Sequence, residues 1–548
     1  MTAMRRVLVP VLLAALATAA LGSYIQALRI DSDSDPGWEA DAGPPEKVVG
    51  TPLLSVRRTP GWLSDPVTEA RLFDQVRAVA DLPAAPPQTC IAMYRNGEPV
   101  LRRQADQPLT PASLMKIVTA AVILETAGPD ATFTTEAFVR FADLNAAEGG
   151  ILTGDVFLVG RGDPVLSTPS YVLRFGDDRA HTDFTLLADQ AAARLRNLGI
   201  TRVDGAVLAD ETRFPEAERN YTNQMVQPSG EPIWKQSYVN SNQVGPLSAL
   251  LLNDGYVSFP ASTDFVSRRR NQRADDPALH AAQVFDALLA GRNVVVTAPS
   301  GKTAAPARDE LYSLGVVESP PMAEIVTRML RHSDNTTAEM LLKDIGRRFS
   351  GSARADAVRD VAELMQRRLS VLTPGTVIAD GSGLSTHSRL SCDLVARLLL
   401  EAGPGSPLVE GLAVVGESGT LRDCEAGAAD AAASPAGASE PEIGLGDLGS
   451  VANVRVWAKT GTLNDASALA GVTVARNGDV LTFALISNRQ DLIFNLGTCN
   501  VLQRGLIAVA EGHPYGPSSA DTALHPLPAI SPSGDAGAAS GAGGDEGQ

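Results

Sequence analysis

Cysteine, histidine and lysine are all scarce in this chain. It has four cysteines in 548 residues, Cys90, Cys392, Cys424 and Cys499, and none lies in a C-x-x-C pair. Its six histidines are scattered with no zinc-ligand spacing, so a structural metal is not expected. No basic run is longer than Arg268–Arg270, and 63 acidic residues against 46 basic ones give a net charge of −17. An acidic chain without a basic stripe is a poor partner for phosphate backbones, which sets nucleic-acid binding aside. No fixed-period repeat is present, and beyond the N-terminus no apolar run reaches spanning length. Only six of the 46 basic residues are lysines, so a Lys inside a motif carries more weight than usual.

What is present begins with an address. Arg5 and Arg6 precede an apolar run from Val7 to Gly22, closed by small residues, which reads as an export signal or an uncleaved membrane anchor. Residues 1–30 are assigned to it, which places the protein outside the cytoplasm with membrane contact only through that segment. A polar, Pro-rich linker is expected over 31–74. The Gly/Ala/Ser-rich residues 511–548 should form a disordered tail, and 425–450 a low-complexity surface loop. The remainder has globular composition, with 44% hydrophobic and 20% charged residues. Four cysteines suit an exported chain with two disulfides, and three pairings are open. A terminal helix at about 494–510, packed on a sheet containing the first and last hairpins, favours Cys90–Cys499 and Cys392–Cys424.

Two hairpins are legible. Asn96-Gly97 joins CIAMY to PVLRRQ, and Asn477-Gly478 joins ALAGVTVA to VLTFALIS. Between them, apolar residues at i, i+3, i+4 spacing mark helices at 322–332 and 336–348. The sharpest local signal is LTPASLMKIVTAAVILETAGPD. Thr110 suits an N-cap and Pro111 a first helical position, with Gly128-Pro129 as the stop. Ser113 and Lys116 then stand one turn apart at the helix start. A serine becomes a nucleophile when a base takes its proton, and a desolvated lysine is such a base. The helix N-terminus adds N–H groups for an oxyanion. Alone, S-x-x-K is common by chance.

Two further motifs follow. Ser333-Asp334-Asn335 sits at the break between the two amphipathic helices, where a hydroxyl can relay a proton and a carboxamide can hold a substrate amide. Lys459-Thr460-Gly461 ends an alternating Val-x-Val-x-Ala strand, where Lys and Thr can receive a carboxylate and Gly lets a second backbone approach. The order S-x-x-K, S-D-N, K-T-G, each in the element its role needs, is the motif set of the serine penicillin-recognising enzymes. The 217 residues from Lys116 to Ser333 exceed the short connection of an ordinary β-lactamase. With GILTGDVFLVGRGDPVL, DGAVLADETRFP, DGSGLSTHSRLS and GESGTLRD, the chain resembles the class C penicillin-binding proteins, the D-alanyl-D-alanine carboxypeptidase/endopeptidase family, over about 75–510. It departs from them in a longer loop before K-T-G.

The resemblance implies an α+β fold: an antiparallel sheet flanked by helices, built from 75–127 and 309–510, with β-rich inserted domains at 128–308 after the nucleophile helix. It implies that Ser113 attacks the carbonyl between two D-alanines with Lys116 as base. Ser333 and Lys459 would relay a proton to the leaving amine, and Asn335 would position the substrate. Thr460, Gly461 and Thr462 would bind it, with Ser113 and Thr462 N–H groups as the oxyanion hole. Asp380–Ser385 would support the site. No cofactor is implied, and the partners would be peptidoglycan peptides and β-lactams. A β-lactamase or esterase on the same fold stays open as an alternative, although no E-x-x-L-N is present. So does a catalytically idle wall-binding protein. The oligomeric state is not legible. Ser300–Thr303 lacks the first Gly of a phosphate loop, with Val296 in its place. Arg161-Gly162-Asp163 reads as a turn, and Ser418 lacks the second Gly of G-x-S-x-G. His387 reads as structural.

Overall fold

The computed structural model describes residues 60–83, 85–176, 179–216, 219, 231–263, 265–349, 374–424, 454–489 and 499–514. The export segment, the 425–450 loop and nearly all of the C-terminal tail lie outside these. Among the described residues, no helix is long and apolar enough to cross a membrane. No group of three or more His, Cys, Asp or Glu residues could hold a metal ion there either.

In chain order, helix α1 (Pro60–Ala80) leads into the hairpin β1 (Gln88–Arg95) and β2 (Glu98–Arg103), and α2 (Met115–Ala127) follows. Next come β3 (Thr134–Arg140), β4 (Val156–Gly160), α3 (Phe184–Asn197), β5 (Val207–Asp210), α4 (Pro277–Ala290) and β6 (Leu311–Glu318). The chain then returns through α5 (Met322–His332), α6 (Asn335–Phe349) and α7 (Cys392–Ala402). It ends in β7 (Ala413–Val414), β8 (Val456–Leu463), β9 (Ala466–Val474), β10 (Val480–Asn488) and α8 (Val501–Gly512).

The main sheet has six antiparallel strands in the order β7-β8-β9-β10-β1-β2, so the first and last hairpins share it. Strand period sorts its side chains. Ile91, Met93, Leu469, Phe483 and Leu485 point to the face covered by α8 and by the Leu72–Ala80 part of α1. Ala92, Ala468, Ala470 and Ala484 point to the opposite face, against α2, α5, α6 and α7. Register aligns Ala92, Ala484, Ala470 and Lys459 in one row across four strands. Alanines there let the helices approach closely, and the row delivers the Lys459 side chain to the face where α2 lies. Helix α1 starts inside the segment expected to be linker, because its buried Leu72, Val76 and Val79 recur at helical spacing.

The segment expected to be inserted builds a mixed sheet of five strands, in the order Gly301–Lys302, β5, β4, β3, β6. Helices α3 and α4 pack on it through Phe184, Leu187, Ala191, Ala281, Phe285 and Leu289. Its last strand is β6, so this sheet closes at Glu318, beyond the expected boundary at 308.

The expected disulfide pairing is corrected: the bridges are Cys90–Cys392 and Cys424–Cys499. The reason is strand parity. Cys90 alternates with Ile91 and Met93, so it faces α7 and its Cys392, while Cys499 sits beside α8 on the other face with Cys424. Non-reducing peptide mapping will recover Cys90–Cys392 and Cys424–Cys499 peptides, and a Cys90–Cys499 peptide would contradict this face assignment. Removing the Cys90–Cys392 bridge with paired Ser substitutions will lower unfolding stability by about 2–4 kcal/mol, read from the denaturant midpoint.

Candidate active site

Three elements meet where the main sheet edge, α2 and the α5–α6 junction come together. The turn that carries Ser113 differs from its expected form. Ala112–Leu114 is a 3-10 turn, the α-helix proper starts at Met115, and Ala112 has a φ of 46°. Thr110 is no cap: its N–H donates to Asn488 Oδ1 at 2.8 Å, and its carbonyl accepts from Asn488 Nδ2 at 3.1 Å. That clamp ties the turn to the end of β10. Helix α2 is enclosed on several sides, with Met115, Ile117, Val118, Thr119, Ala120, Val122 and Ile123 all buried. A helix sheathed on nearly all sides holds Lys116 in the interior.

Lys116 is fully buried, and its amine has three oxygen neighbours. Nζ lies 3.1 Å from Ser113 Oγ, 2.6 Å from Asn335 Oδ1 and 2.6 Å from the Ser382 carbonyl. Burial brings its pKa down to about 8, against the opposing pull of Asp380, Glu339 and Asp334. On the other side of the serine, Ser333 Oγ lies 3.0 Å from Ser113 Oγ, and Lys459 Nζ lies 3.0 Å from Ser333 Oγ. Lys459 also donates to the Thr460 carbonyl at 2.8 Å. Burial, with Lys116 nearby, holds its pKa well below the usual lysine range. Lys116, Ser113, Ser333 and Lys459 thus form a continuous polar chain.

Ser333 stands in the left-handed region with φ 54°, which turns the chain between α5 and α6 and aims the hydroxyl at Ser113. Asn335 opens α6 and donates its amide to the Gln243 carbonyl at 2.7 Å, so the insertion touches this loop directly. Strand β7 pairs only with Trp457 and Ala458, which leaves the outer edge of the rest of β8 to the Ala112–Leu114 turn. Gly461 is required there: a Cβ would lie 2.9 Å from the Pro111 carbonyl and 3.0 Å from the Ser113 nitrogen. Thr460 Oγ1 meets Thr420 Oγ1 at 2.9 Å, and Thr462 lies one residue past the glycine on the same edge.

The Asp380–Ser385 segment has a definable place. Asp380 is fully buried and accepts from Trp234 Nε1 at 2.9 Å, Ser385 N–H at 2.8 Å and Gly383 N–H at 3.0 Å. Glu339, one turn after Asn335 on α6, accepts from the N–H groups of Gly381 and Ser382 at 3.1 and 2.8 Å. Together they fix the Ser382 carbonyl that Lys116 meets. His387 is only an outlying neighbour of Glu231, at 3.8 Å.

Arg328 was not expected at all. It is buried within the apolar run of α5, donates to the Ala180 carbonyl at 3.0 Å, and lies 3.5 Å from Asp334 and 3.7 Å from Asp254. Burial and the neighbouring Asp334 push Asp254 up to about 6. Asp334 is itself held low, because Arg328 and Thr337 outweigh its burial. Tyr171 OH also donates to Asp254, at 2.5 Å. The arginine therefore joins the S-D-N loop to the insertion. Arg328→Ala will take the main counter-charge from two largely enclosed carboxylates, Asp254 and Asp334, and cost about 3–5 kcal/mol, measured by denaturant unfolding. A loss below about 1 kcal/mol would contradict this placement.

Comparison with known proteins follows the same lines. The chain is 28% identical over 447 residues to the D-alanyl-D-alanine carboxypeptidase of Actinomadura sp. (strain R39), covering 72% of this chain and 76% of that protein. It is likewise 28% identical over 397 residues to a carboxypeptidase of Mycobacterium tuberculosis, covering 72% and 74%. Its fold matches penicillin binding protein 4 of Haemophilus influenzae with a TM-score of 0.56 at 15% identity, over 79% of this chain and 97% of that one. The family description D-Ala-D-Ala carboxypeptidase 3 (S13) matches residues 74–263 and 254–494. With that match spanning most of its length, the chain belongs to the D-Ala-D-Ala carboxypeptidase 3 (S13) family, a group of penicillin-binding proteins.

Proposed function

We propose that the protein is an exported serine DD-peptidase. It cleaves the D-Ala-D-Ala bond of peptidoglycan stem peptides through an acyl-enzyme on Ser113, and cuts cross-links by the same chemistry. The observation that carries this reading is the chain Lys116 Nζ, Ser113 Oγ, Ser333 Oγ, Lys459 Nζ, with successive separations of 3.1, 3.0 and 3.0 Å.

Protonation supplies the logic. A neutral lysine amine has two N–H bonds and one lone pair. At Lys116 the two N–H bonds have acceptors in Asn335 Oδ1 and the Ser382 carbonyl, which turns the lone pair toward Ser113. Ser113 Oγ bonds to the peptide carbonyl carbon as its proton passes to Lys116, and the oxyanion takes the N–H groups of Ser113 and Thr462. Ser333 then gives its proton to the departing amine and is resupplied from Lys459 as the C–N bond breaks. The proton taken by Lys116 returns along the same chain to Lys459. Water then hydrolyses the ester, its O–H adding to the acyl carbonyl carbon and its other hydrogen restoring the Ser113 hydroxyl. Thr460 and Lys459 receive the terminal carboxylate, and Asn335 orients the acyl amide. The body from β3 to β6 serves as an inserted domain that shapes access to this cleft.

Two outcomes test the reading. Incubated with benzylpenicillin, the intact protein will gain one long-lived penicilloyl mass and Ser113→Ala will gain none. Rapid drug hydrolysis without an adduct would make it a β-lactamase, and neither adduct nor turnover would make it an idle binder. The acylation rate will also follow Lys116. Because the neutral amine is the base, the rate rises about tenfold per pH unit below its pKa, then levels off above about 8. A flat profile between pH 6 and 9 would exclude Lys116 as the base.

A further inference from the structure

The GESGTLRD stretch has no part in the chemistry above, yet the fold carries it to the edge of the site. Gly419–Leu421 within it is a 3-10 turn that packs against β7, the edge of β8 and α5. Several contacts fix its position. Leu421 is fully buried on the face that α8 covers, and Ser418 Oγ accepts from the Val414 N–H at 3.0 Å. Gly419 has a φ of 60°, and a Cβ there would overlap the Arg331 carbonyl. The turn therefore rests directly on the end of α5, just short of Ser333. The Cys424–Cys499 bridge ties its exit to the chain entering α8.

Between Gly419 and the buried Leu421, Thr420 is exposed. Its Oγ1 lies 2.9 Å from Oγ1 of Thr460, a half-buried residue next to Lys459. A hydroxyl has one hydrogen and two lone pairs, so two hydroxyls in contact share one hydrogen and leave the other for a third group. Among the described residues neither hydroxyl has another partner. The spare hydrogen stands beside the Lys459 amine, on the strand whose Gly461 closes against the Ser113 nitrogen. An acceptor reaching it from Ser113 comes from just beyond the scissile bond.

We propose that Thr420 is a positioning residue for the substrate's terminal carboxylate: its hydroxyl donates to Thr460 Oγ1 and so commits the Thr460 hydrogen to that carboxylate. The inference rests on the DD-peptidase reading and deepens it by adding a residue from outside the three motifs. Without Thr420 the Thr460 O–H is free to rotate away. With it, one lone pair is occupied, and accepting that bond makes the Thr460 O–H the stronger donor. Hydrogen bonds to an ionised acceptor are the ones that gain most from such alignment.

The test uses the full chain with Thr420→Val, which keeps the shape and removes the hydroxyl, and Thr420→Ser, which keeps the hydroxyl. Each is assayed on two acyl-D-alanyl thioesters with the same scissile bond. One is the ester of thioglycolate, whose leaving group ends in a carboxylate, and the other the ester of ethanethiol, which has none. Thr420→Val will lose about tenfold in kcat/KM on the thioglycolate ester, the size of one hydrogen bond to a charged group, and less than about twofold on the ethanethiol ester. Thr420→Ser will bring the thioglycolate ester back to within about threefold of the unsubstituted chain. No loss with valine, an equal loss on both esters, or no rescue by serine overturns the assignment. The two threonines must also act as one. Thr420→Val added to Thr460→Val will cost little further, and losses that multiply overturn it. Failure of the DD-peptidase reading shows differently, on the unsubstituted chain, as rapid penicillin hydrolysis or as no adduct. Where penicillin is hydrolysed, its own carboxylate reads the contact, and hydrolysis unchanged by Thr420→Val overturns the assignment there too.

Discussion

The site depends on the burial of one amine. Lys116 is fully enclosed, and a charged ammonium in such a place is disfavoured unless counter-charges compensate. Here Asp380, Glu339 and Asp334 compensate in part, which leaves the amine near the balance point between its two protonation states. Much of the surrounding architecture serves that balance. The carboxylates act through the loop they hold as well as through their charge. Asp380 and Glu339 take up backbone N–H groups around Ser382, so the carbonyl that faces Lys116 has little freedom to turn away.

A second consequence of this arrangement is that residues between α2 and α5 brace the Ser333–Asn335 loop. The Asn335 amide ends on the Gln243 carbonyl, the Gly245 N–H donates to Thr336 Oγ1 at 3.1 Å, and Arg328 spans Asp334 and Asp254. These contacts brace a serine held at positive φ, a conformation that costs about 1–3 kcal/mol and persists only when its surroundings over-determine it. The bracing comes from a body that is distant in sequence.

The side-chain cluster was legible because motif order is a one-dimensional property. Ser113, Lys116, Ser333, Asn335 and Lys459 were singled out from the sequence, and the structure brings them within hydrogen-bonding reach of one another. The two Asn-Gly hairpins were equally legible, and Asn96 and Gly97 both adopt the positive φ that such a turn requires. What failed was whatever depends on facing. The disulfide pairing required knowing on which side of the sheet each cysteine falls. Strand alternation at Ile91 and Met93 carried that signal for Cys90, but only once the helices had been assigned to faces. Thr110 and Pro111 look like a helix start, yet Asn488 claims the Thr110 backbone from a strand far along the chain. Arg328 reads as one polar residue in an apolar helix, with nothing local to reveal its two carboxylate partners. Glu339 did leave a trace, since it follows Asn335 by one helical turn.

The corrected disulfides impose an order of events on a chain that is synthesised N-terminus first. Numbered by emergence, the first cysteine is bonded to the second and the third to the fourth. Each thiol therefore meets its native partner as the next one delivered, and no bridge has to open to let another form. Cys90 must still wait through 302 residues, the whole of the insertion included, before Cys392 arrives. By then Ser113, Lys116 and Ser333 have all been delivered, and Lys459 is still to come. Locking β1 to α7 thus marks the point at which α2 has its covering helices, while β7 to β10 and α8 remain to be added.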